Sequence, residues 1–261
     1  MRKLNFIFVG GKNIGYETLN FLLKENFRPI LVVPNKDDNG KDNLFCKSVK
    51  KVANKNRLEI ANLKNLNKCI QKKNLLIDII LCLGSTLILP KNIINLAKIG
   101  ALNIHPSLLP KYRGRYSLPH AIFNNEKYTG ITIHWIGSGI DNGKIIKQRK
   151  IKITNNDTSE TLYKKFTKIS IIEFKKIFKK IAQNKKLNKL STKKINTKYK
   201  KKHFPNNGKI NWKWNGFKIY NFLRSMIHEP FPPPEIKIGS KSYFLVSKNY
   251  LNKAKLLNSP K

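Results

Sequence analysis

Short unbroken apolar runs alternate, over the first two thirds of the chain, with segments whose apolar positions recur at helical spacing. Residues 4–9 read as a buried strand and residues 16–24 as a helix with Leu19, Leu22 and Leu23 on one face, with Gly10, Gly11 and Gly15 forming a tight turn between them. The same alternation predicts a strand at 29–33, a helix at 46–55, a short strand at 58–60, an amphipathic helix at 66–72 and a strand at 77–83. Strand–helix alternation of this kind predicts an α/β fold: a doubly wound, mostly parallel sheet, Rossmann-like, with helices on both faces. Ligands of such sheets sit at the carboxyl ends of strands. Residues 84–90 follow one such end and Asn103 lies at another.

Further along, residues 145–153 read as a strand. Asp157 or Thr158 caps a helix over 162–181, with Leu162, Phe166, Ile169, Ile172 and Ile177 supplying its apolar face. Residues 184–203 are rich in Lys, Asn and Thr without periodicity, which predicts a linker. Beyond them come a strand or turn at 210–214, a helix at 216–226, and a hairpin of 235–238 with 243–246 turning at Gly239-Ser240. The expected organisation is a catalytic domain at 1–183, a basic linker at 184–205 and a small β-containing C-terminal subdomain at 206–261.

Charge complicates this picture. The chain has 261 residues, 40% of them hydrophobic, with 53 Lys and Arg against 14 Asp and Glu, a formal net charge of +39. Such an excess, taken alone, implies a polyanionic partner. Lysine supplies nearly all of it, alongside abundant Asn and Ile, the mixture expected when coding drifts toward adenine and thymine. We weigh drift above a selected nucleic-acid surface. Cys46, Cys69 and Cys82 are odd in number and lack metal-ligand spacing, so neither a disulfide framework nor a zinc site is expected, and a reducing cytoplasm fits. Asp37, Asp38 and Asp42 do not make an EF-hand loop, which requires a Glu at its twelfth position. The apolar stretch after Met1 is too short for a signal peptide, and no window approaches a membrane span.

The chemistry concentrates between Asn103 and Asp141. Strand spacing points Asn103 and His105 to one side, where a carboxamide and an imidazole can donate to one oxyanion. Asp141 sits in a turn with Gly137, Gly139 and Gly143, from which a carboxylate can orient an imidazole or relay a proton. Each also has a plain alternative: Asn103 and Asp141 as turn residues, His105 as a strand-end histidine. Arg113 and Arg115, flanking Gly114, either face an anionic substrate or shape their loop. His134, alternating along a strand with Ile131 and Ile133, reads as structural, and His120 as the start of a helix.

Taken together, Asn103-Ile104-His105-Pro106-Ser107-Leu108-Leu109-Pro110, Tyr112-Arg113-Gly114, Thr129-Gly130-Ile131-Thr132-Ile133-His134 and Gly139-Ile140-Asp141-Asn142-Gly143 resemble the signature of the 10-formyltetrahydrofolate-dependent formyltransferases. Members act on methionyl-tRNA, on glycinamide ribonucleotide, or on nucleotide-linked amino sugars. The resemblance implies Asn103, His105 and Asp141 as the catalytic set, with 10-formyltetrahydrofolate as co-substrate and no metal. It implies that the pteridine is held by the chain around Leu83, Ser85, Leu87 and Leu89 with Ile136, Gly139 and Ile140. Gly11, Lys12, Arg113 and Arg115 would lie on the substrate side. The C-terminal region resembles the start of the second domain of the longer members: a GxIxW element at Gly208, Ile210 and Trp212, then Leu223-Arg224 and Pro232-Pro233-Pro234, with the chain expected to stop short of a complete barrel.

Arg113-Gly114-Arg115-Tyr116-Ser117 departs from the RGAAP usual in tRNA-directed members. The leading expectation is therefore formyl transfer to the amine of a nucleotide-linked amino sugar, with methionyl-tRNA as the alternative. A catalytically degenerate member binding RNA through the acid-free segment 174–228 is a further alternative. A homodimer is considered for the aromatic and proline-rich region around Trp212, Trp214, Phe231 and Pro232, and no membrane is expected.

Overall fold

In the computed structural model, which describes residues 3–43, 45–187, 203–229, 231–245 and 256–258, the apolar runs become buried strands. β1 (Phe6–Gly10) and β3 (Ile77–Leu83) are buried along their whole length. With β2 (Leu31–Pro34), β4 (Ala97–His105), β5 (Tyr128–Trp135) and β6 (Ile145–Lys152) they form a six-stranded sheet in the order β2-β1-β3-β4-β5-β6. β1 runs parallel to β2 and β3, and β3 parallel to β4, whereas β4 and β5 are antiparallel. The carboxyl ends of β1, β3 and β4 therefore lie side by side.

Seven helices are described: α1 (Lys12–Lys24), α2 (Val49–Lys55), α3 (Leu66–Lys72), α4 (Lys91–Ile94), α5 (Ser117–Phe123), α6 (Ser159–Ala182) and α7 (Gly216–Met226). Period two divides the strands between two faces. Ile7, Val9, Ile80 and Cys82 share a core with Leu66 and Ile70 of α3 and Ile93 of α4. Phe6 faces the other way, edge-on to Phe178 of α6 at 6.2 Å, while Phe21 of α1 meets Phe174 at 6.3 Å. Fully burying a phenylalanine contributes roughly 2–3 kcal/mol, so these rings fix which helices cover which face.

Several expectations change. α1 begins at Lys12, so Gly10, Gly11 and Gly15 are not a tight turn: Gly11 precedes the helix and Gly15 lies inside it. Added Cβ atoms on Gly10 and Gly15 would lie 2.0 and 2.9 Å from the Leu83 carbonyl oxygen. These glycines let the end of β1 and the first turn of α1 pass against the end of β3. α2 begins at Val49 because Ser48 caps it, its hydroxyl accepting from the Lys51 amide. The strand expected at 58–60 is a single bridge between Val32 and Ile60; of the strand or turn expected at 210–214, the structure shows the turn, beside one Lys209–Glu235 bridge.

The chain divides into two compact units interleaved in sequence, residues 1–105, 132–148 and 167–194 against residues 106–131, 149–166 and 195–261. The break between 194 and 195 falls within the linker expected at 184–205, most of which, residues 188–202, lies outside the described residues. The hairpin turns at Gly239 as expected, and β7 (Glu235–Ile238), β8 (Lys241–Leu245) and β9 (Leu256–Asn258) form a three-stranded sheet; Val246, expected in the second strand, lies outside the described residues. No described helix is long and apolar enough to cross a membrane.

Within the second unit, Arg224 of α7 is 4% exposed and donates to the carbonyls of Thr154 at 2.9 Å and Asp157 at 2.8 Å. Asp157 accepts from the Thr154 amide and hydroxyl, from the Thr161 hydroxyl and from Lys165. The helix cap expected at 157–158 is present, the Thr158 hydroxyl accepting from the Thr161 amide at 3.2 Å, and Asp157 beside it joins the start of α6 to the side of α7. Burial alone would raise the Asp157 carboxyl, but its bonds to Lys165, Thr154 and Thr161 outweigh burial and hold it below the ordinary 3.8. A carboxyl lowered by folding adds stability above its unfolded pKa, and that stability is lost as pH falls through the folded value. Asp157→Asn should therefore lower the urea midpoint near neutral pH, with the gap to wild type closing below about pH 4. A gap of the same size at both pH values would refute the junction.

Candidate active site

β4 ends on Asn103, Ile104 and His105, and its antiparallel register with β5 sets Asn103 opposite His134 and His105 opposite Thr132. Directly opposed residues project to the same face, so one row carries Asn103, His105, Thr132 and His134. His105 is 4%, His134 1% and Thr132 0% exposed. Gln148 of β6 extends the row by donating to the Thr132 hydroxyl at 2.9 Å. Buried polar groups must be partnered, and here Asn103 and Thr132 find partners, His134 and Gln148, on the next strand.

The Asn103 carboxamide nitrogen lies 3.2 Å from Nε2 of His134, whose Nδ1 lies 2.8 Å from the Trp135 carbonyl oxygen. A carbonyl only accepts, so Nδ1 carries the proton and Nε2 accepts from Asn103. The amide is thereby turned nitrogen-inward to His134, with a second N–H left for another acceptor. His105 Nδ1 lies 3.2 Å from Oδ2 of Asp141. The carboxylate accepts from Nδ1–H and so sets the orientation of the ring. Asp141 Oδ1 is also 3.7 Å from His134 Nε2, too long for a hydrogen bond.

Asp141 is held rather than loosely delivered. It adopts a left-handed conformation with φ 49°. Asn142 accepts from the Gly139 amide at 3.0 Å, and the Trp135 amide donates to the Lys144 carbonyl at 2.9 Å, closing the loop at its base. A Cβ on Gly143 would lie 1.6 Å from the Trp135 carbonyl oxygen. The glycines of this turn allow it to close tightly.

The residues expected around the pteridine divide by atom. Leu87 and Ile136 pack against the buried cluster that contains Leu89, Cys82, Val9 and Ala101, so residues 84–90 and Ile136 meet on one apolar floor. Leu83 is buried on the strand, and its carbonyl accepts from the Gly11 amide. The Ser85 hydroxyl accepts from the Leu87 amide at 2.9 Å and also bonds the Cys82 thiol, which burial pushes up to about 12. Gly139 is committed to Asn142, and Ile140 is 47% exposed. Gly11 is buried and Lys12 exposed, with φ 56° at Lys12. No cluster of described residues has the makings of a metal site.

Arg113 and Arg115 belong to the second unit. There Tyr112, Gly114 and Tyr116 all have positive φ, and the Tyr112 hydroxyl donates to Glu126 at 2.9 Å. Arg113 is partly and Arg115 fully exposed, on a loop of fixed shape. His120 lies inside α5 rather than at its start, with Nε2 2.8 Å from the His203 carbonyl oxygen.

Comparison with known proteins gives this geometry a context. The profile of the formyl transferase family matches residues 1–174. The bifunctional polymyxin resistance protein ArnA of Wigglesworthia glossinidia brevipalpis is 35% identical over 246 residues, 93% of this chain and 36% of that protein. Methionyl-tRNA formyltransferase of Francisella tularensis subsp. novicida is 36% identical over 177 residues, 66% of this chain and 56% of that one. The chain thus spans about a third to a half of the length of these curated relatives. The N-formyltransferase of Helicobacter canadensis, solved with folinic acid and dTDP-3-aminofucose, superposes with a TM-score of 0.74 at 28% identity, over 95% of this chain and 89% of that one.

His134 is the site residue that sequence reading set aside as structural. Its signal is the alternation that sets Thr132 and His134 opposite to Ile131 and Ile133, but that signal acquires meaning only through the register with β4. The Gly143 contact yields a direct test. In Gly143→Ala the loop must move away from Trp135, and Asp141 with it. The His105 Nδ1 proton, followed by nitrogen-15 NMR, should then exchange with water faster than in the wild type. An unchanged resonance would mean that Gly143 does not set the position of Asp141.

Proposed function

We propose, for a chain that belongs to the formyl transferase family, that it transfers the formyl group of 10-formyltetrahydrofolate to a primary amine, and that the amine belongs to a nucleotide-linked amino sugar. The observation that carries the reaction is the pairing of Asn103 with His105 beside Asp141 on one buried edge. When the amine nitrogen adds to the formyl carbon, the carbonyl oxygen becomes an oxyanion. Asn103 offers it the N–H that His134 leaves unused, and the His105 imidazolium offers Nε2–H. Asp141, which holds His105 through Nδ1, passes the proton lost by the attacking amine, directly or through a water, to the departing folate nitrogen as the carbon–nitrogen bond to the donor breaks. The apolar floor of Leu87, Leu89 and Ile136 suits a flat ring, and the main chain of residues 83–89 supplies polar edges for it.

The sugar-directed reading draws on the likeness to the Helicobacter canadensis enzyme over both units of the chain. Arg113 and Arg115 would then serve the diphosphate, and Gly11 and Lys12 of the first unit would be substrate contacts in their own right. The net charge of +39 and the likeness to a methionyl-tRNA formyltransferase favour tRNA as the second reading. A homodimer fits the exposed Trp212, Tyr220 and Ile238 of the second unit, and a cytoplasmic setting fits three free cysteines.

Tetrahydrofolate release, followed spectrophotometrically with a panel of nucleotide-linked amino sugars and with aminoacylated initiator tRNA, tests the acceptor. Turnover with a sugar and not the tRNA is expected; the reverse would replace the leading reading by the second. Asn103→Ala and Asp141→Asn should fold, as judged by circular dichroism, yet lose roughly a hundred- to a thousand-fold in turnover. Wild-type turnover in either variant would remove that residue from the catalytic set.

A further inference from the structure

We propose that Asn35 is the positioning residue of the folate-holding loop, acting on residues 84–89 rather than on the reacting atoms. It follows β2 at the carboxyl edge of the sheet and is 4% exposed. Both ends of its carboxamide are engaged by one loop: Nδ2 donates to the Gly84 carbonyl at 3.1 Å, and Oδ1 accepts from the Thr86 amide at 2.9 Å. Its own amide donates to the Gly10 carbonyl at 3.1 Å, and its carbonyl accepts from the Asp38 amide at 3.1 Å. One residue thus ties together the segments that leave β1, β2 and β3.

Residues 84–90 form no helix or strand, so their shape depends on such contacts. Gly84 turns the chain with φ +66°, and Ser85 fastens Leu87, but the link from this loop to the rest of the edge runs through Asn35. Gly11 has a matching reason to lack a side chain: a Cβ there would lie 2.4 Å from Asn35 Nδ2. The asymmetry of the carboxamide matters as well. A donor must face Gly84 and an acceptor must face Thr86, an arrangement that a carboxylate cannot reproduce until it is protonated.

This inference rests on the proposed folate-dependent reaction, and its test separates the two. Binding of folinic acid and the KM for 10-formyltetrahydrofolate are measured for wild type, Asn35→Ala and Asn35→Asp, together with kcat and the KM of the acceptor. Folate KM should rise about fivefold in both variants, with kcat and acceptor KM within about twofold, since one neutral hydrogen bond corresponds to about 1 kcal/mol and about 1.4 kcal/mol to tenfold. In Asn35→Asp the excess over wild type should shrink as pH falls toward about 4, where the carboxyl gains the missing proton. In the wild type, the Thr86 amide should be protected from hydrogen exchange, a reading that stands even if the variants fold poorly. Folate KM unchanged in folded variants, an excess independent of pH in Asn35→Asp, or an unprotected Thr86 amide would each overturn the proposal. A wild type that neither binds folinic acid nor turns over the formyl donor would overturn the folate reading and this inference with it.

Discussion

The antiparallel pairing of β4 with β5 is the constraint on which the site depends. β4 is parallel to β3 on one side and antiparallel to β5 on the other, and its register sets Asn103 against His134 and His105 against Thr132. A slip of one residue would send this row to the opposite face and bring Ile104, Ile131 and Ile133 in its place. The apolar members of the same strands oppose such a slip, because Ile131 and Ile133 are 0% and Ile104 4% exposed. Hydrophobic burial, which has no chemistry of its own, thus chooses the register that aligns the polar groups. The polar groups add direction: the Trp135 carbonyl fixes the tautomer of His134, which turns the Asn103 amide.

Close backbone approach is the second constraint, and it explains glycines that otherwise look like loop punctuation. The Leu83 carbonyl lies where a Cβ of Gly10 or Gly15 would be, and the Trp135 carbonyl where that of Gly143 would be. Removing side chains there lets three strand ends and a turn converge, and the functional side chains then sit on backbone with little freedom to shift. Catalysis by preorganised donors requires this, because a donor that must first be oriented gives up part of its advantage.

Much of this was legible in the residues. An unbroken apolar run located β3, and helical spacing located α3 and α7, to the residue. Strand spacing put Asn103 and His105 on one face, and the glycines marked the turn that carries Asp141, but only the resemblance of the longer motif implied the three as a catalytic set. What escaped was set by groups distant in sequence. His134 becomes part of the site only through its register with Asn103, and Asn35 through bonds to Gly84 and Thr86, 49 and 51 positions away. Gly15 was misread as part of a turn because the carbonyl that excludes its side chain belongs to another strand. The start of α2 was misplaced because apolar spacing continued through Cys46, while the capping hydroxyl at Ser48 decided where the helix begins.

The same distinction bears on the charge. With 14 acidic residues in 261, an acid retained by chance would more often stand exposed and alone. Here Asp78 accepts from the Asn5 amide, Asp38 from the amides of Gly40 and Lys50, and Glu126 from the Tyr112 hydroxyl. Asp157 anchors a helix junction, and Asp141 holds His105. These acids serve as acceptors for particular amides, hydroxyls or rings, and a lysine in any of those places would set a donor against a donor. Exposed positions carry no such restriction, and an exposed ion pair contributes little to stability. A drift toward lysine would therefore fill the surface and halt at such acceptors. A basic surface selected for a polyanion would also need to leave those acids intact, so the excess of charge alone carries little weight in choosing the acceptor.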